Sequence, residues 1–338
     1  MISQGYIIVK TEFTSMARAN KFMPVYLDSL KLDSVLDFNL YLKRDSGYFL
    51  YRSSSMPFDE NTRASLLDRQ IRKLYISINE QSNYQKYIER NLNSIIEDKS
   101  IDERTKATVI YDTTRSLVIE ILDNPVMSEN IKRSHKIVES TVYYILNEKN
   151  AFRSLLDVMI FDYYTYTHSV NVCAFSIALA QYTGIVDKEH LNLLGIGALL
   201  HDVGKMKIPA SILNKNGPLT TEEFQIIKKH PTWGCELIKE TDITPEESYY
   251  PILQHHEREN GSGYPEGLKA DEIHPYSKIV AIVDAFDAMT TQRIYRDAKT
   301  TFQTFEELTN EKGAYNRKLL ERFIMLLGPN SSRNYRNI

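Results

Sequence analysis

Cysteine is almost missing from this chain: Cys173 and Cys235 are the two among 338 residues. So few thiols exclude a disulfide framework and fit a reducing compartment, so a cytoplasmic location is expected. Long apolar runs are missing as well. "LLGIGALL" at 193–200 reads as a core helix, because a membrane span needs about 18–20 such residues. The opening "MISQGYIIVKTEF" has no basic start followed by an apolar stretch, so no signal peptide is expected. Neither sign of charge prevails, with 41 Lys and Arg against 44 Asp and Glu. A net charge of −3 offers no global basic field to a nucleic acid, so any anionic ligand has to be held by local charges. Internal repeats, low-complexity tracts and Gly/Ser-rich linkers are absent too.

Tyrosine is abundant, with 22 residues concentrated in the N-terminal half and around 143–166. It suits half-buried strands and packing surfaces. Residues 1–98 read as a small α+β domain of regulatory or packing type. "DFNLYLKRDSGYFLYR" alternates around Asp45-Ser46-Gly47 and predicts a β-hairpin. "RASLLDRQIRKLYISI" predicts a short helix running into a strand, and Tyr84, Ile88, Leu92 and Ile95 share helical spacing. Residues 99–150 read as a helical linker, with one helix ending at Asn124-Pro125 and a second following. Residues 151–328 then read as helix after helix, including a Thr220-x-x-Glu223 capping box, and 329–338 as a tail. The fold class is therefore mainly α, an all-helical C-terminal bundle behind a small α+β unit.

Seven of the eight histidines fall in that bundle, and six of them stand where neighbours could ligate metal: His168, His201, His230, His255, His256 and His274. Asp202, Asp284 and Asp287 accompany them. The pairs His201-Asp202 and His255-His256, and the run "IVDAFDAM", follow apolar helical segments, where unpaired ionisable groups are destabilising by several kcal/mol each. A bound divalent cation supplies the compensating charge. Imidazole and carboxylate without thiolate suit zinc, iron, manganese or nickel rather than a structural thiolate site. His168, His201, Asp202, His230, His255, His256 and Asp284 are too many for one tetrahedral ion. They suit two ions sharing a carboxylate, with Asp202 the natural bridge, and two such ions serve in-line displacement at phosphorus by turning a bridging water into hydroxide. His135, alone among basic residues, reads as a solvated surface histidine, and a surface role is also expected for His274. Trp233 and both cysteines read as core, and Asp287 as an orienting partner of a ligand histidine or a helix-packing contact.

"HDVGK" at 201–205, "HHERENGSGYPEGL" at 255–268 and "IVDAFDAMTTQRIYR" at 282–296 resemble the HD-GYP family of metal-dependent cyclic di-GMP phosphodiesterases. The likeness covers roughly residues 150–328 and not the first hundred. It implies a helical bundle with metals in its core. His168, His201, Asp202 and Asp284 would be the ligands shared by HD proteins, and His230, His255 and His256 would hold the second ion. Iron is the expected metal and manganese the next. Some members carry a third metal, helped by a glutamate four residues before the first histidine. Tyr164 stands there, so two divalent ions are expected. Lys205, Arg293 and Arg296 would contact the phosphates, with Arg-Ile-Tyr-Arg replacing the usual Arg-Pro-Tyr-Arg at 293–296. Gly263, Tyr264 and Pro265 form the GYP loop, which implies an active-site border, with Tyr264 touching substrate, and contacts with diguanylate cyclase domains.

The function so implied is hydrolysis of cyclic di-GMP to linear pGpG and GMP, with Asp202 and Lys205 in catalytic roles. The alternative is a low-turnover effector that binds a cyclic dinucleotide or docks onto a cyclase. Spacing alone does not separate cyclic di-GMP from cyclic GMP-AMP, nor a monomer from a homo-oligomer.

Overall fold

The computed structural model describes residues 21–123, 127–159, 165–213, 215, 217–291 and 298–328. Arg293, Arg296 and Tyr164 lie outside the described residues. Two compact units divide between Ser116 and Leu117.

The first unit is built on a four-stranded antiparallel sheet in the order β1 (Phe22–Tyr26), β6 (Lys73–Ser77), β3 (Leu40–Arg44), β4 (Gly47–Arg52), beside a small pair β2 (Ser34–Val35) and β5 (Pro57–Phe58). The hairpin expected around Asp45-Ser46-Gly47 joins β3 to β4, with Arg44 opposite Gly47. Pro24 is tolerated because β1 is an edge strand, where a missing N–H costs little. Alternation sends Val25, Leu40, Leu74 and Ile76 into the core. On the other face Phe22 stacks on Tyr48 at 4.3 Å and meets Tyr41 edge-on at 4.8 Å. Cross-strand aromatic pairing thus absorbs part of the tyrosine excess. Helix α1 (Glu60–Asp68) precedes β6, as expected, with the Asp59 carboxylate capping its N-terminus. Helix α2 (Gln81–Glu97) buries Ile88, Leu92 and Ile95 at the predicted spacing.

Helix α3 (Glu103–Asp123) carries the unit boundary, and α4 (Met127–Asn147) follows. The second unit is helical: α5 (Ala151–Met159), α6 (Thr165–Tyr182), α7 (Lys188–Leu200), α8 (Ala210–Leu213), α9 (Thr221–Ile227), α10 (His230–Lys239), α11 (Tyr249–Gln254), α12 (Pro275–Thr290), α13 (Thr301–Asn310) and α14 (Arg317–Leu327). Every residue from 166 to 180 is buried, so α6 is the axis of the bundle, packed against α7, α12, α4, α5 and α14. Among the described residues, no helix is long and apolar enough to cross a membrane.

Three expectations are corrected. His135 is half-buried, with Nε2 3.3 Å from Thr244 Oγ1, because α4 packs inward at that turn. His274 is a half-buried helix cap: Nδ1 accepts the Tyr276 N–H at 3.2 Å, and the ring stacks on Tyr250 at 4.4 Å. Trp233 is only partly buried, flanking the small cluster Ile208, Leu213 and Ile227.

Candidate metal centre

The centre gathers at the buried ends of α6, α7, α10, α11 and α12. Helix α7 stops at Leu200, and His201 and Asp202 form a turn leading into a 3-10 segment, Val203–Lys207. Asp202 has φ −97° and ψ 3°, outside the helical basin, which turns its carboxylate away from the α7 axis. Gly204 lets this segment lie directly on α10: a Cβ there would be 1.9 Å from the His230 carbonyl oxygen. The glycine of "HDVGK" is thus a spacing device that brings His230 to Asp202. The predicted capping box closes α9, with Glu223 N–H donating to Thr220 Oγ1 at 3.2 Å and Thr220 N–H to Glu223 at 2.7 Å. Two residues after that helix, His230 begins α10 beside Pro231, whose missing N–H would be unpaired in the first turn in any case.

Two groups of donors result: His168, His201 and Asp202, and His230, His255 and His256, with donor atoms within 4.8 Å of one another in each. Asp202 joins them. Its Oδ2 lies 3.4 Å from His201 Nε2 and 3.8 Å from His168 Nε2, while Oδ1 lies 3.3 Å from His230 Nε2 and 3.9 Å from His255 Nε2. Asp284 reaches both sides, at 3.1 Å from His168 Nε2 and 3.9 Å from His256 Nδ1. All seven expected ligands therefore converge. Lys205 is buried, with its ammonium 2.5 Å from Asp202 Oδ2.

The protonation pattern fits a divalent cation. His230 Nδ1 donates to the Ile227 carbonyl at 2.8 Å, and His255 Nδ1 to those of Ile252 and Pro251 at 3.0 and 3.1 Å. A carbonyl only accepts, so both rings carry their proton on Nδ1 and a lone pair on Nε2. Those two Nε2 atoms face each other at 3.1 Å. Two lone pairs at that distance repel unless a cation lies between or beside them. His201 repeats the device, donating from Nδ1 to the Ala198 carbonyl at 2.7 Å while Nε2 faces His168 Nε2 at 3.3 Å. Among the described residues, buried Asp202 Oδ1 and His256 Nε2 have no hydrogen-bond partner.

Burial, reinforced by neighbouring imidazoles, holds His255 and His256 well below the usual histidine range, and burial lowers His230 as well. These rings are neutral, the form that binds metal. Burial alone would raise Asp202, but the Lys205 ammonium beside it outweighs burial and holds the carboxyl well below its ordinary range. His168 is the exception. Burial opposes its protonation, but the carboxylates of Asp284 and Asp287 outweigh burial and push it up to about 9. A metal ion would replace that proton.

Asp287 orients His168: Oδ2 accepts from His168 Nδ1 at 2.7 Å, and Oδ1 accepts from Asn171 Nδ2 at 2.8 Å. Asn171 was missed, although it lies one helical turn from His168 on the same face of α6, a spacing that could have found it. Asp287→Asn removes the anion that fixes this tautomer. Metal affinity is expected to fall about 10–100-fold in chelator competition, and an unchanged affinity would reduce Asp287 to a packing contact.

Glu257 was missed too. It is buried, and its carboxylate accepts the backbone N–H groups of Glu266, Gly267 and Leu268 at 2.7, 3.1 and 2.9 Å. The loop it gathers carries Tyr264, whose ring stacks on His256 at 4.6 Å and 26°. Gly263 is required where the loop crosses its own origin, since a Cβ would be 2.5 Å from Glu257 Cα and the His256 carbonyl oxygen.

The HD domain family matches residues 159–319. The chain is 31% identical over 229 residues to a cyclic di-GMP phosphodiesterase of Pseudomonas aeruginosa, across 67% of this chain and 55% of that one. It is 37% identical over 174 residues to a cyclic di-GMP phosphodiesterase of Thermotoga maritima, across 49% and 45%. It spans about half the length of these curated relatives. Among solved structures, Bd1817, an HDG"Y"P protein from Bdellovibrio bacteriovorus, superposes with a TM-score of 0.64 at 27% identity, covering 90% of this chain and 99% of that one. Fold and donor set together define an HD domain that binds divalent metal. With "HDVGK", the paired His255-His256 and the loop at 263–265, the chain belongs to the HD-GYP family.

Proposed function

We propose that this chain is a phosphodiesterase that opens cyclic di-GMP to linear pGpG and carries it on to GMP at a two-metal centre. The observation that carries the reading is the division of Asp202: one oxygen faces His168 and His201, the other His230 and His255. His168, His201, Asp202 and Asp284 would hold one ion, and Asp202, His230, His255 and His256 the other, iron first and manganese second. The chemistry that a bound pair supplies is Lewis-acid polarisation of the scissile phosphoryl group and acidification of the attacking water. The chain's own residues do the rest. Asp287 and the carbonyls of Ala198, Ile227 and Ile252 lock the imidazole tautomers, so the lone pairs are aimed before substrate arrives. Lys205, paired with Asp202, places a fixed positive charge where negative charge grows at phosphorus. Arg293 and Arg296 belong to the same reading as phosphate contacts, and Tyr264 as a substrate contact. The half-exposed GYP loop is the face offered to a diguanylate cyclase domain. A cytoplasmic location suits the two free, buried cysteines.

Protein loaded anaerobically with Fe(II) or Mn(II) is expected to convert cyclic di-GMP to pGpG and then GMP, resolved by chromatography. Chelation should stop the reaction and metal readdition restore it. Cyclic GMP-AMP run in parallel ranks the two substrates. Binding by calorimetry without product under either metal would select the effector instead.

A further inference from the structure

One cation at the rim of the centre has no part in holding metal. Lys228 follows α9, two residues before His230, and is half-buried. Its ammonium lies 5.0 Å from the Phe224 ring centre and 5.3 Å from that of Tyr264. Tyr264 in turn stacks on His256, so the ammonium lies within about 10 Å of that ligand ring. Lys207 and Lys215 are paired with Glu236 and Glu223. Among the described residues, Lys228 has no carboxylate within ion-pair distance.

An ammonium resting on aromatic faces loses part of its water without losing its charge. It therefore keeps its positive potential for an incoming anion. A cyclic dinucleotide carries two phosphodiesters on one ring, and only one can lie on the metal centre at a time. Resting on the function proposed above, we propose that Lys228, seated on Phe224 and Tyr264, is the subsite for the second phosphodiester, the one not being cut. A lysine serves a phosphate as a point charge, with no need for the planar fork of arginine. Lys228 is then a positioning residue. It touches substrate remote from the breaking P–O bond and holds the macrocycle so that the scissile phosphate sits at Asp202.

The test is steady-state kinetics of the metal-loaded protein, wild type against Lys228→Met and Lys228→Arg, on two substrates. Cyclic di-GMP has the second phosphodiester, and bis(p-nitrophenyl) phosphate does not. Lys228→Met is expected to raise KM for cyclic di-GMP roughly ten- to hundredfold with kcat nearly unchanged. It should leave both constants for bis(p-nitrophenyl) phosphate as they were, and Lys228→Arg should recover most of the lost KM. Unchanged KM for cyclic di-GMP, or equal losses on both substrates, would overturn the subsite and leave Lys228 as a tether of the loop. Melting midpoint and metal content check the fold, and Lys228→Gln replaces Lys228→Met if the latter lowers either. Calorimetric titration with cyclic di-GMP separates the two proposals. Wild-type binding without cleavage sinks the phosphodiesterase reading, while the Lys228→Met to wild-type Kd ratio still decides the subsite. Absence of binding sinks both.

Discussion

Asp202→Asn is expected to lower kcat/KM on cyclic di-GMP by more than about a thousandfold, on the order of 4 kcal/mol of transition-state stabilisation. The side chain is nearly isosteric, so the loss is electrostatic. In the native chain one carboxylate serves two histidine groups and the Lys205 ammonium at once. An amide has no charge to share, and its NH2 must face either Lys205 or the lone pair of an imidazole. Both choices set donor against donor or weaken a ligand. Metal content per chain, by elemental analysis, is expected to fall with activity while the helical signal persists. Full metal occupancy in the variant would show that Asp202 is not the shared ligand. Asp287→Asn is a milder lesion because it disturbs the aim of one ring and leaves every donor in place.

Gly204→Ala should be the most damaging substitution of a residue without a functional group. Its Cβ would meet the His230 carbonyl oxygen at 1.9 Å and the Gly234 nitrogen at 2.4 Å. Both obstacles are backbone, so no rotamer change relieves them, and the 3-10 segment has to separate from α10. Overpacking costs about 1–3 kcal/mol where side chains can yield, and this contact belongs at or above the top of that range. For a unit of this size about 3 kcal/mol corresponds to a fall in melting midpoint of roughly 6–12 °C. Gly234→Ala faces its nearest atoms at 3.1 Å, one of them a movable Ile252 methyl, so a smaller shift is expected. Scanning calorimetry of the two variants in chelator separates packing from metal binding. Equal midpoints would mean that the two segments part easily.

The cluster of histidines and aspartates was legible because paired ionisable residues directly after apolar helical runs are improbable without a compensating charge. Local devices were legible for a related reason. The Thr220–Glu223 box and the hairpin turn at Asp45-Ser46-Gly47 each depend on a few adjacent residues. What stayed hidden depends on tertiary approach. Helical periodicity carries "LLGIGALLHDVGK" on as one helix, whereas α7 ends at Leu200 because Asp202 leaves the helical basin and Gly204 docks on α10. Glu257 resembles any charged residue beside a histidine until the N–H groups nine to eleven positions later fold back onto it. His274 and His135 were assigned to the surface because nothing nearby in sequence names Tyr250 or Thr244 as neighbours.

His255, His256 and Glu257 are consecutive, and their side chains are committed in turn to the second donor group, to that group and the Tyr264 stack, and to the backbone of 266–268. Recognition surface and reaction centre are thus fastened to the same three residues of backbone. A flap tied down in that manner cannot swing aside to admit a nucleotide without dragging two imidazoles with it. Traffic into and out of the cleft is left to its other walls.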